Sequence, residues 1–572
     1  MRNRIVGALA LTLVSLSAST AQAAEVSQNE RFTTSDGVSL QTTLSGEAPL
    51  EPRPVIVEFS PYGRDSMTIN AGPAYNHLLV QIRGTGDSRG RFDALGPRTQ
   101  TDVQETLAWA CEQPWSDGRL GLNGFSASAI TIYNSLHLEL PCVETAVLKS
   151  GTFELYRDLL VPGGILNSVP GAGVLALIGA PTLAQSDGRL DDPLSGLDAA
   201  QGIIGAGLEG LMRRTLDSWW SERGFRGDAN DLPILMVAGF FDVESRGAFE
   251  GYQELRDDGS HLIVVNAHDA APAGTDAGYA ESRAWFDHNL LGIDNGIEDE
   301  PRVKLWLADG DREDFVAGQH VRLDGDDWPI PGTRWQGLAL DPAKSGTANS
   351  VNDGTLSLRP PSGTAAQSFP NLPSLSSATD IPNIALVGAM GFDALTTAFP
   401  QFTDMTLAEP AGLTYTTAPL RRDVLSAGPA SVELKLSVTA PETGVWAVVS
   451  DVSPDGTAHP VATGRLSTDY PKVNRKRSLT AGGEVVQPYG RYDRREPAPL
   501  GAERFYRVEL WPIGNRFKAG HRIRLHIVGA SAASLPSAPG VNTVTAGGPA
   551  GSRFLFPVLP GSDLKRALGG KR

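Results

Sequence analysis

The chain has 572 residues, of which 41% are hydrophobic and 20% charged, and its formal net charge at pH 7 is −16. This length exceeds what one hydrophobic core supports and predicts two or three domains of roughly 100–200 residues each. The acidic balance argues against a nucleic-acid partner and against attachment to an anionic membrane surface.

The first 23 residues have the pattern of a secretory signal peptide. Arg2 and Arg4 supply positive charge, residues 6–16 are apolar, and residues 21–23 read Ala-Gln-Ala, which is typical of a cleavage site. No later segment has the ~20 consecutive apolar residues that a membrane-spanning helix needs. The sequence therefore predicts a secreted or periplasmic product that begins at Ala24.

Apolar runs alternate with helix-like segments from residue 54 to residue 151, and the pattern resumes after residue 230. Six of these runs are predicted strands, at 55–59, 77–82, 119–125, 143–148, 234–238 and 262–266. A helix is predicted at 102–109. This rhythm is typical of a parallel α/β sheet.

Residues 153–230 interrupt that pattern with stretches rich in Leu, Ile, Ala and Gly. Short helices are predicted around 175–178 and 208–218, and together they indicate a cap inserted over the carboxyl edge of the sheet. Trp219 and Trp220 are adjacent in this insertion. Because neighbouring residues of a helix point in different directions, we expect at most one of the two to face a pocket.

After residue 302 the sequence changes to alternating runs separated by Pro, Gly, Ser and Thr. The runs at 431–438, 445–449, 505–511 and 521–528 favour an antiparallel β-sandwich, and residues 345–379 are expected to form long loops. The predicted organisation is a signal peptide (1–23), a first core part (24–152), a cap (153–230), a second core part (231–332) and a β-sandwich domain (333–572).

Cys111 and Cys142 are the two cysteines of the chain. In an oxidising compartment they could form a disulfide. The alternative is a pair of buried thiols, since free cysteine prefers burial. Both interpretations stay open at the level of the sequence.

Ser126 stands where a predicted strand gives way to a helix-like stretch, two residues after Gly124. A strand-to-helix elbow presents a serine hydroxyl clear of the sheet, with the amide of the next residue facing the same space. The second glycine of such elbows is missing, because Ser128 occupies its position and Ala129 follows. Ser126 is therefore a candidate nucleophile that needs partners elsewhere in the chain.

Asp242 and His268 follow the last two predicted strands, at 234–238 and 262–266. Both are expected at the carboxyl edge of the sheet, where open α/β sheets bind ligands. The chain order Ser, Asp, His fits a site in which a histidine takes the serine proton and a carboxylate orients the histidine. The alternative for Asp242 is a helix cap.

Six short motifs, spread over nearly all of the mature chain, carry a resemblance to a known family. They read SPYGR at 60–64, IRGTGDSRG at 82–90, WSDGRLGLNGFS at 115–126, GFFD at 239–242, WFDH at 285–288 with LG at 291–292, and WPIPG at 328–332. Together they resemble the family of cocaine esterase, α-amino-acid ester hydrolases, glutaryl acylases and Xaa-Pro dipeptidyl-peptidases. The resemblance implies the α/β class, with an α/β-hydrolase core, an inserted helical cap and a C-terminal β jelly-roll domain.

By position, the resemblance assigns Ser126 as nucleophile, Asp242 as orienting acid and His268 as base. It also implies an oxyanion hole made by the Tyr62 hydroxyl and the backbone amide of Ala127. A tyrosine hydroxyl there would stabilise charge that develops only in the transition state. Without the resemblance, Tyr62 reads as a tyrosine packed at a strand end with its hydroxyl in water.

The chain departs from the family at Ala127 and Ala129, where the family usually has tyrosine and glycine, and this predicts an altered acyl pocket. The predicted function is hydrolysis of a small-molecule ester or amide through an acyl-enzyme on the serine, with no cofactor and no metal. A homo-oligomer is compatible with the sequence. The alternatives are an Xaa-Pro dipeptidyl-peptidase or other aminopeptidase, and a catalytically degenerate binding protein. Since Asp187, Asp191 and Asp192 of the cap read as a solvated loop, an esterase or acylase is favoured.

Overall fold

The computed structural model describes residues 25–63, 67–184, 193–227, 231–267, 272–276, 278–350, 352–372, 404–531 and 538–570. The predicted signal peptide at 1–23 and the acidic run at 187–192 lie outside the described residues. In the described part of the chain, no helix is both long and apolar enough to cross a membrane.

Ten strands between residues 25 and 325 lie side by side in one sheet. They are β1 (Glu25–Thr33), β2 (Ser39–Glu47), β3 (Arg53–Ser60), β4 (Asn76–Gln81), β5 (Ser116–Phe125), β6 (Val143–Lys149), β7 (Ile234–Ala238), β8 (His261–Val264), β9 (Val303–Ala308) and β10 (His320–Gly325). Their spatial order is β1-β2-β4-β3-β5-β6-β7-β8-β9-β10. The strands from β4 to β9 in this order run parallel, and β1, β2 and β10 join antiparallel.

The parallel strands read as continuous apolar runs because helices cover both faces of such sheets. All of β4, β7, β8 and β9 is buried. The helices of the core are α1 (Pro97–Cys111), α2 (Ala127–Ser135), α7 (Ser245–Leu255), α8 (Tyr279–Leu291) and α9 (Arg312–Val316). All six predicted strands are present, and β9 is a further parallel strand that the alternation pattern did not predict.

The insertion between β6 and β7 is helical. It contains a π-helix at Leu155–Leu160, a 3₁₀ turn at Pro162–Gly164, α3 (Ser168–Gly173), a second π-helix at Val174–Gly179, α4 (Ala180–Ala184), α5 (Pro193–Met212) and α6 (Ser218–Ser221). The prediction of a short helix at 208–218 is wrong, because α5 is long and ends at Met212. Its glycines, unfavourable in an isolated helix, are accommodated by packing: the backbone at Gly202 lies against residues 91–92.

The described residues from 334 onward form a β domain of mostly antiparallel strands. They are β11 (Arg334–Asp341), β12 (Asn352–Ser357), β13 (Thr364–Asn371), β14 (Leu413–Thr416), β15 (Val424–Val438), β16 (Gly444–Val452), β17 (Ala458–Ser467), β18 (Leu479–Ala481), β19 (Glu484–Gln487), β20 (Arg504–Phe517), β21 (Arg522–Val528), β22 (Gly540–Gly547) and β23 (Arg553–Val558). The 3₁₀ turns Arg256–Asp258, Ile297–Asp299 and Met405–Ala411 and helix α10 (Leu564–Ala567) complete the described elements.

The expectation of long loops at 345–379 is wrong for its described part. Strands β12 and β13 lie there, and β13 pairs along its whole length with β22. Its exposed and buried residues alternate, so the strand presents one face to the core although its composition is poor in large apolar residues. Pairing with β22 over all eight residues compensates for that weak local preference.

Cys111 and Cys142 form a disulfide that joins the end of α1 to the residue before β6. Of the two interpretations that the sequence left open, the disulfide is therefore the one observed. The bond links the connection between β4 and β5 to the connection between β5 and β6.

A buried ion network joins the core, the cap and the β domain. The Arg246 guanidinium at the start of α7 contacts Asp158 in the cap and Glu250 one turn along α7. It also lies 3.0 Å from Glu509 of β20. Nearby, the Phe240 ring packs directly against the backbone of Gly514. The β domain therefore supports the loop between β7 and α7.

Candidate active site

Ser126 forms the elbow between β5 and α2, with φ of 53° and ψ of −122°. Positive φ is strained for a residue with a side chain and persists only where the surroundings enforce it. Here the Ser126 amide donates to the Lys149 carbonyl at 2.9 Å, and its carbonyl accepts from the Ile130 amide at 3.0 Å. The serine is thereby presented at the carboxyl end of β5.

Two glycines provide the space for this turn. A Cβ on Gly124 would lie 2.6 Å from the Ala129 nitrogen, and a Cβ on Gly151 would lie 2.6 Å from the Ala129 methyl. Ala129, which stands where the related elbows have glycine, fits because Gly151 faces it. Ala129 is fully buried and is not among the described residues that line the cavity below, whereas Ala127 lines it. Of the two departures from the family, only Ala127 therefore shapes the pocket directly.

Tyr62 reaches the elbow from the loop after β3. The Ala127 amide donates a hydrogen bond to its phenol oxygen at 2.9 Å, and the Ser126 side chain also hydrogen-bonds the phenol. Loss of solvent raises the pKa of Tyr62, and the negative charge of Glu244 acts in the same direction. The phenol consequently stays protonated at neutral pH and keeps a proton to donate.

Asp242 lies in the loop between β7 and α7 and is completely buried. One of its carboxylate oxygens accepts from the Glu244 amide at 2.8 Å. This loop leaves the carboxyl end of a strand two places from β5 in the sheet. Asp242 therefore stands at the sheet edge that also carries Ser126.

His268 lies outside the described residues, as do residues 269–271. The chain is described as far as Ala267, and its path there is fixed: the amides of Val265 and Asn266 both donate to the Ala238 carbonyl, at 2.8 and 3.2 Å. The Asn266 side chain donates to the Ser150 hydroxyl at 2.7 Å. The segment leading to His268 thus runs beside the start of the loop that carries Asp242.

A cavity of about 560 Å³ extends from Ser126, Ala127 and Tyr62 into the cap. Trp219 and Trp220 both line it, with their rings nearly perpendicular and 4.7 Å apart. The expectation that at most one of them would do so is wrong. Helix α6, which carries both, has four residues, and so short a helix offers two adjacent side chains to one concave wall.

Glu244 is a site residue that the sequence reasoning missed. Its side chain lines the cavity, it is buried, and its charge is felt by Tyr62. The sequence did carry a signal for this residue. It is a glutamate two residues after the predicted catalytic acid, in an otherwise apolar segment that follows a buried strand. A buried carboxylate here disfavours substrates that place a second negative charge beside the reacting bond.

A second polar cluster lies beneath the elbow. The Glu58 carboxylate accepts from the Asn123 side chain at 2.7 Å and from the Thr68 hydroxyl at 3.0 Å. The Lys149 ammonium lies 4.3 Å from the centroid of the Tyr279 ring. Burial lowers the pKa of Lys149 to about 8, an effect that Glu58 opposes. The Asn123–Glu58 hydrogen bond joins β5 to β3, and Lys149 is the last residue of β6.

The strand order, the elbow at Ser126 and the inserted cap define an α/β-hydrolase. Residues 36–268 match the family model described as X-Pro dipeptidyl-peptidase (S15 family), and residues 295–549 match the model of the X-Pro dipeptidyl-peptidase C-terminal non-catalytic domain. Both models are named for the X-Pro dipeptidyl-peptidases, and they confirm the family and the fold class predicted from the sequence.

Individual relatives agree with this assignment. The chain is 24% identical over 553 residues to a cocaine esterase of Rhodococcus sp. (strain MB1 Bresler), covering 88% of this chain and 90% of the relative. A CocE/NonD family hydrolase from Staphylococcus aureus superposes with a TM-score of 0.72 at 17% identity, covering 94% of both chains. An α-amino acid ester hydrolase superposes with a TM-score of 0.68 at 16% identity, covering 96% of this chain and 100% of that one. The superpositions show the shared fold.

Proposed function

We propose that the protein is a serine hydrolase that cleaves an ester or amide bond through an acyl-enzyme on Ser126. His268 takes the serine proton and Asp242 orients the histidine. The observation that carries the proposal is the elbow itself, in which Ser126 at positive φ meets the Tyr62 phenol and the Ala127 amide at the floor of an apolar cavity. The order of the three residues along the chain supports the same assignment.

In the proposed reaction the serine oxygen attacks the carbonyl carbon, and the carbonyl oxygen becomes an oxyanion. The Ala127 amide, which donates to the phenol oxygen in the free protein, then donates a hydrogen bond to the oxyanion, and the Tyr62 hydroxyl donates a second hydrogen bond to the same atom. Two donors held beside the reacting bond lower the barrier because they stabilise the negative charge that develops on this oxygen in the transition state. His268 returns the proton to the leaving group, and water then releases the acyl group by the reverse sequence.

The test uses an activated ester and a serine-directed probe. Ser126→Ala is expected to lower kcat on p-nitrophenyl acetate by on the order of a millionfold, as loss of a serine nucleophile does elsewhere. A fluorophosphonate is expected to add one adduct to Ser126 of the wild-type protein and none to the Ser126→Ala or His268→Ala variants. A wild-type protein that stays unlabelled and inactive would support the degenerate binding protein instead.

An aminopeptidase is the second candidate, and the Glu244 carboxylate favours it because such a group can pair with a free α-amine. The family model is named for X-Pro dipeptidyl-peptidases. Comparing Ala-Pro-p-nitroanilide with its N-acetylated form separates the two candidates. A preference for the free amine that disappears in Glu244→Gln would favour the aminopeptidase, and equal rates would favour an esterase or acylase.

We also propose that the protein is exported, on the strength of the pattern at residues 1–23. Intact mass of the product recovered outside the cytoplasm is expected to correspond to a chain beginning at Ala24. A product that keeps Met1 and stays in the cytoplasm would contradict export. Light scattering on the same sample measures whether the protein is a monomer or a homo-oligomer.

A further inference from the structure

The walls of the cavity are apolar over most of their extent. Aliphatic side chains come from the π-helix at Leu155–Leu160, from the second π-helix at Val174–Gly179 and from α5, and Ile130 adds to them from α2. Among the described lining residues, Glu244 is the one charged side chain. A ligand that fills this space gains by burying hydrocarbon rather than by pairing charges.

Two polar side chains in the walls bond to backbone carbonyls. The Trp220 indole donates to the Arg213 carbonyl at 2.8 Å, and the Asn167 side chain donates to the Leu159 carbonyl at 3.2 Å. Both residues therefore present mainly carbon to the cavity. The polar groups facing the reacting bond are those at one end, where Ser126, Tyr62 and Glu244 lie together. The cavity thus has a polar end and an apolar remainder.

The cavity is much larger than a short acyl group bound at its polar end. At about 30 Å³ per water-sized group, 560 Å³ accommodates roughly 15 to 20 non-hydrogen atoms. An acetyl group has three non-hydrogen atoms and a benzoyl group has eight, so each would leave much of the apolar wall in contact with water. A long hydrocarbon chain covers that wall.

Helix α5 extends the apolar surface beyond the deep part of the cavity. Ile204, Leu208 and Leu211 line the cavity and are also 53%, 55% and 43% exposed. Large apolar side chains exposed in a row are costly in water and mark sites where apolar ligands bind. A chain that runs from Ser126 toward α5 would cover them.

We propose that the cavity binds a long unbranched hydrocarbon chain, so that the preferred substrates are esters with a long aliphatic acyl or alcohol part. The polar end holds the ester group against Ser126 while the chain lies along the cap helices and reaches Ile204, Leu208 and Leu211. This inference rests on the proposed function of the same site. It names a substrate class that neither the family model nor the relatives' names contain.

The test is a chain-length series on the wild-type protein, with all esters below their aggregation limits. Each buried methylene is expected to raise kcat/KM about fourfold. If half of the eight methylenes that distinguish decanoate from acetate are buried, p-nitrophenyl decanoate exceeds the acetate by about 250-fold. A matching series of alkyl acetates shows whether the chain belongs to the acyl or the alcohol side. A maximum at acetate or butyrate in both series, or a benzoate that exceeds the decanoate, would overturn the proposal.

A pair of matched variants locates the chain. Leu208 and Leu197 are both on α5 and are 55% and 58% exposed, but only Leu208 is among the described residues lining the cavity. Leu208→Asp is expected to lower the ratio of kcat/KM for decanoate to that for acetate at least tenfold. Leu197→Asp is expected to leave the ratio within twofold of wild type. Equal effects of the two variants would contradict a chain bound along this wall.

A binding measurement keeps this inference separate from the proposed function. The Ser126→Ala variant is titrated with 1-alkanols from butanol to dodecanol, and the dissociation constant is followed by tryptophan fluorescence, since Trp219 and Trp220 line the cavity. Affinity that rises with chain length supports the chain site even if no ester is hydrolysed. Affinity that does not change with length overturns it even if Ser126 is labelled and short esters are cleaved.

Discussion

The backbone amide of Ala127 and the phenol oxygen of Tyr62 are hydrogen-bonded at 2.9 Å, which brings together residues that are far apart in the sequence. Ala127 is the first residue of α2, and Tyr62 follows the end of β3. Because β3 and β5 are adjacent parallel strands, their carboxyl ends lie side by side. The two donors proposed for the oxyanion are therefore adjacent in the free protein.

Tyr62→Phe is expected to lower kcat on p-nitrophenyl esters by about a hundredfold to a thousandfold, the usual effect of removing one oxyanion donor. KM should change little, because the donor acts mainly in the transition state. Steady-state kinetics with a melting curve as the control for folding checks this. A kcat within threefold of wild type would exclude Tyr62 as a donor.

Gly151→Ala is expected to distort the elbow, because the new methyl would lie 2.6 Å from the Ala129 methyl. Overpacking of this kind costs about 1–3 kcal/mol of unfolding free energy, and the fluorophosphonate reaction of Ser126 should slow with it. The double variant Ala129→Gly/Gly151→Ala removes the clash. If the double variant is no more stable than Gly151→Ala, measured by urea unfolding, the proposed packing is wrong.

His77 makes stability depend on pH. Burial lowers its pKa from 6.5 to about 4, and its Nε2 accepts a hydrogen bond from the Ala71 amide at 3.1 Å. As the pH falls, the unfolded chain therefore binds the proton before the folded protein does. The stabilisation that neutral His77 contributes to the folded protein is full above about pH 6.5 and is lost as the pH falls to about 4. The loss amounts to about 3 kcal/mol. Urea unfolding of His77→Gln is expected to show a smaller decrease between pH 7 and pH 4 than wild type, and parallel curves would contradict this.

The Cys111–Cys142 disulfide closes a loop with a sequence separation of 31. On the chain-entropy model such a loop contributes about 3–4 kcal/mol to stability. The double variant Cys111→Ser/Cys142→Ser should lower the unfolding free energy by that order, and dithiothreitol should destabilise the wild type but not the variant. An equal response of both proteins to dithiothreitol would show that the bond does not form in solution.

Arg246→Met is expected to destabilise the protein by about 3–5 kcal/mol, because it leaves buried carboxylates without their cation. Asp158, Glu250 and Glu509 all contact this guanidinium. Arg491→Ala is the control, since the Arg491–Asp493 pair is exposed and such pairs contribute about 0–1 kcal/mol. Similar melting temperatures for the two variants would contradict a supporting role for the network.

The local sequence pattern was sufficient to predict an element where the composition of one segment determines its structure. Runs such as residues 55–59 and 234–238 are buried on both faces, so their composition identifies them as parallel strands. The pattern was insufficient where pairing with a distant strand determines the structure. Residues 364–371 form strand β13 because β22 lies beside them. The long helix α5 was missed for a related reason, since packing in the cap outweighs the low helix propensity of its glycines.

The sequence by itself determined the class of the protein. The strand rhythm and the Gly-x-Ser turn at Ser126 depend on residues close together in the chain, and the order of Ser126, Asp242 and His268 is read along the chain without any distance in space. Only the tertiary structure decided the disulfide, the burial of Glu244, the space that Gly151 leaves for Ala129, and the two tryptophans on one wall. These depend on distances between separate segments, which the folded core fixes and a linear pattern does not contain.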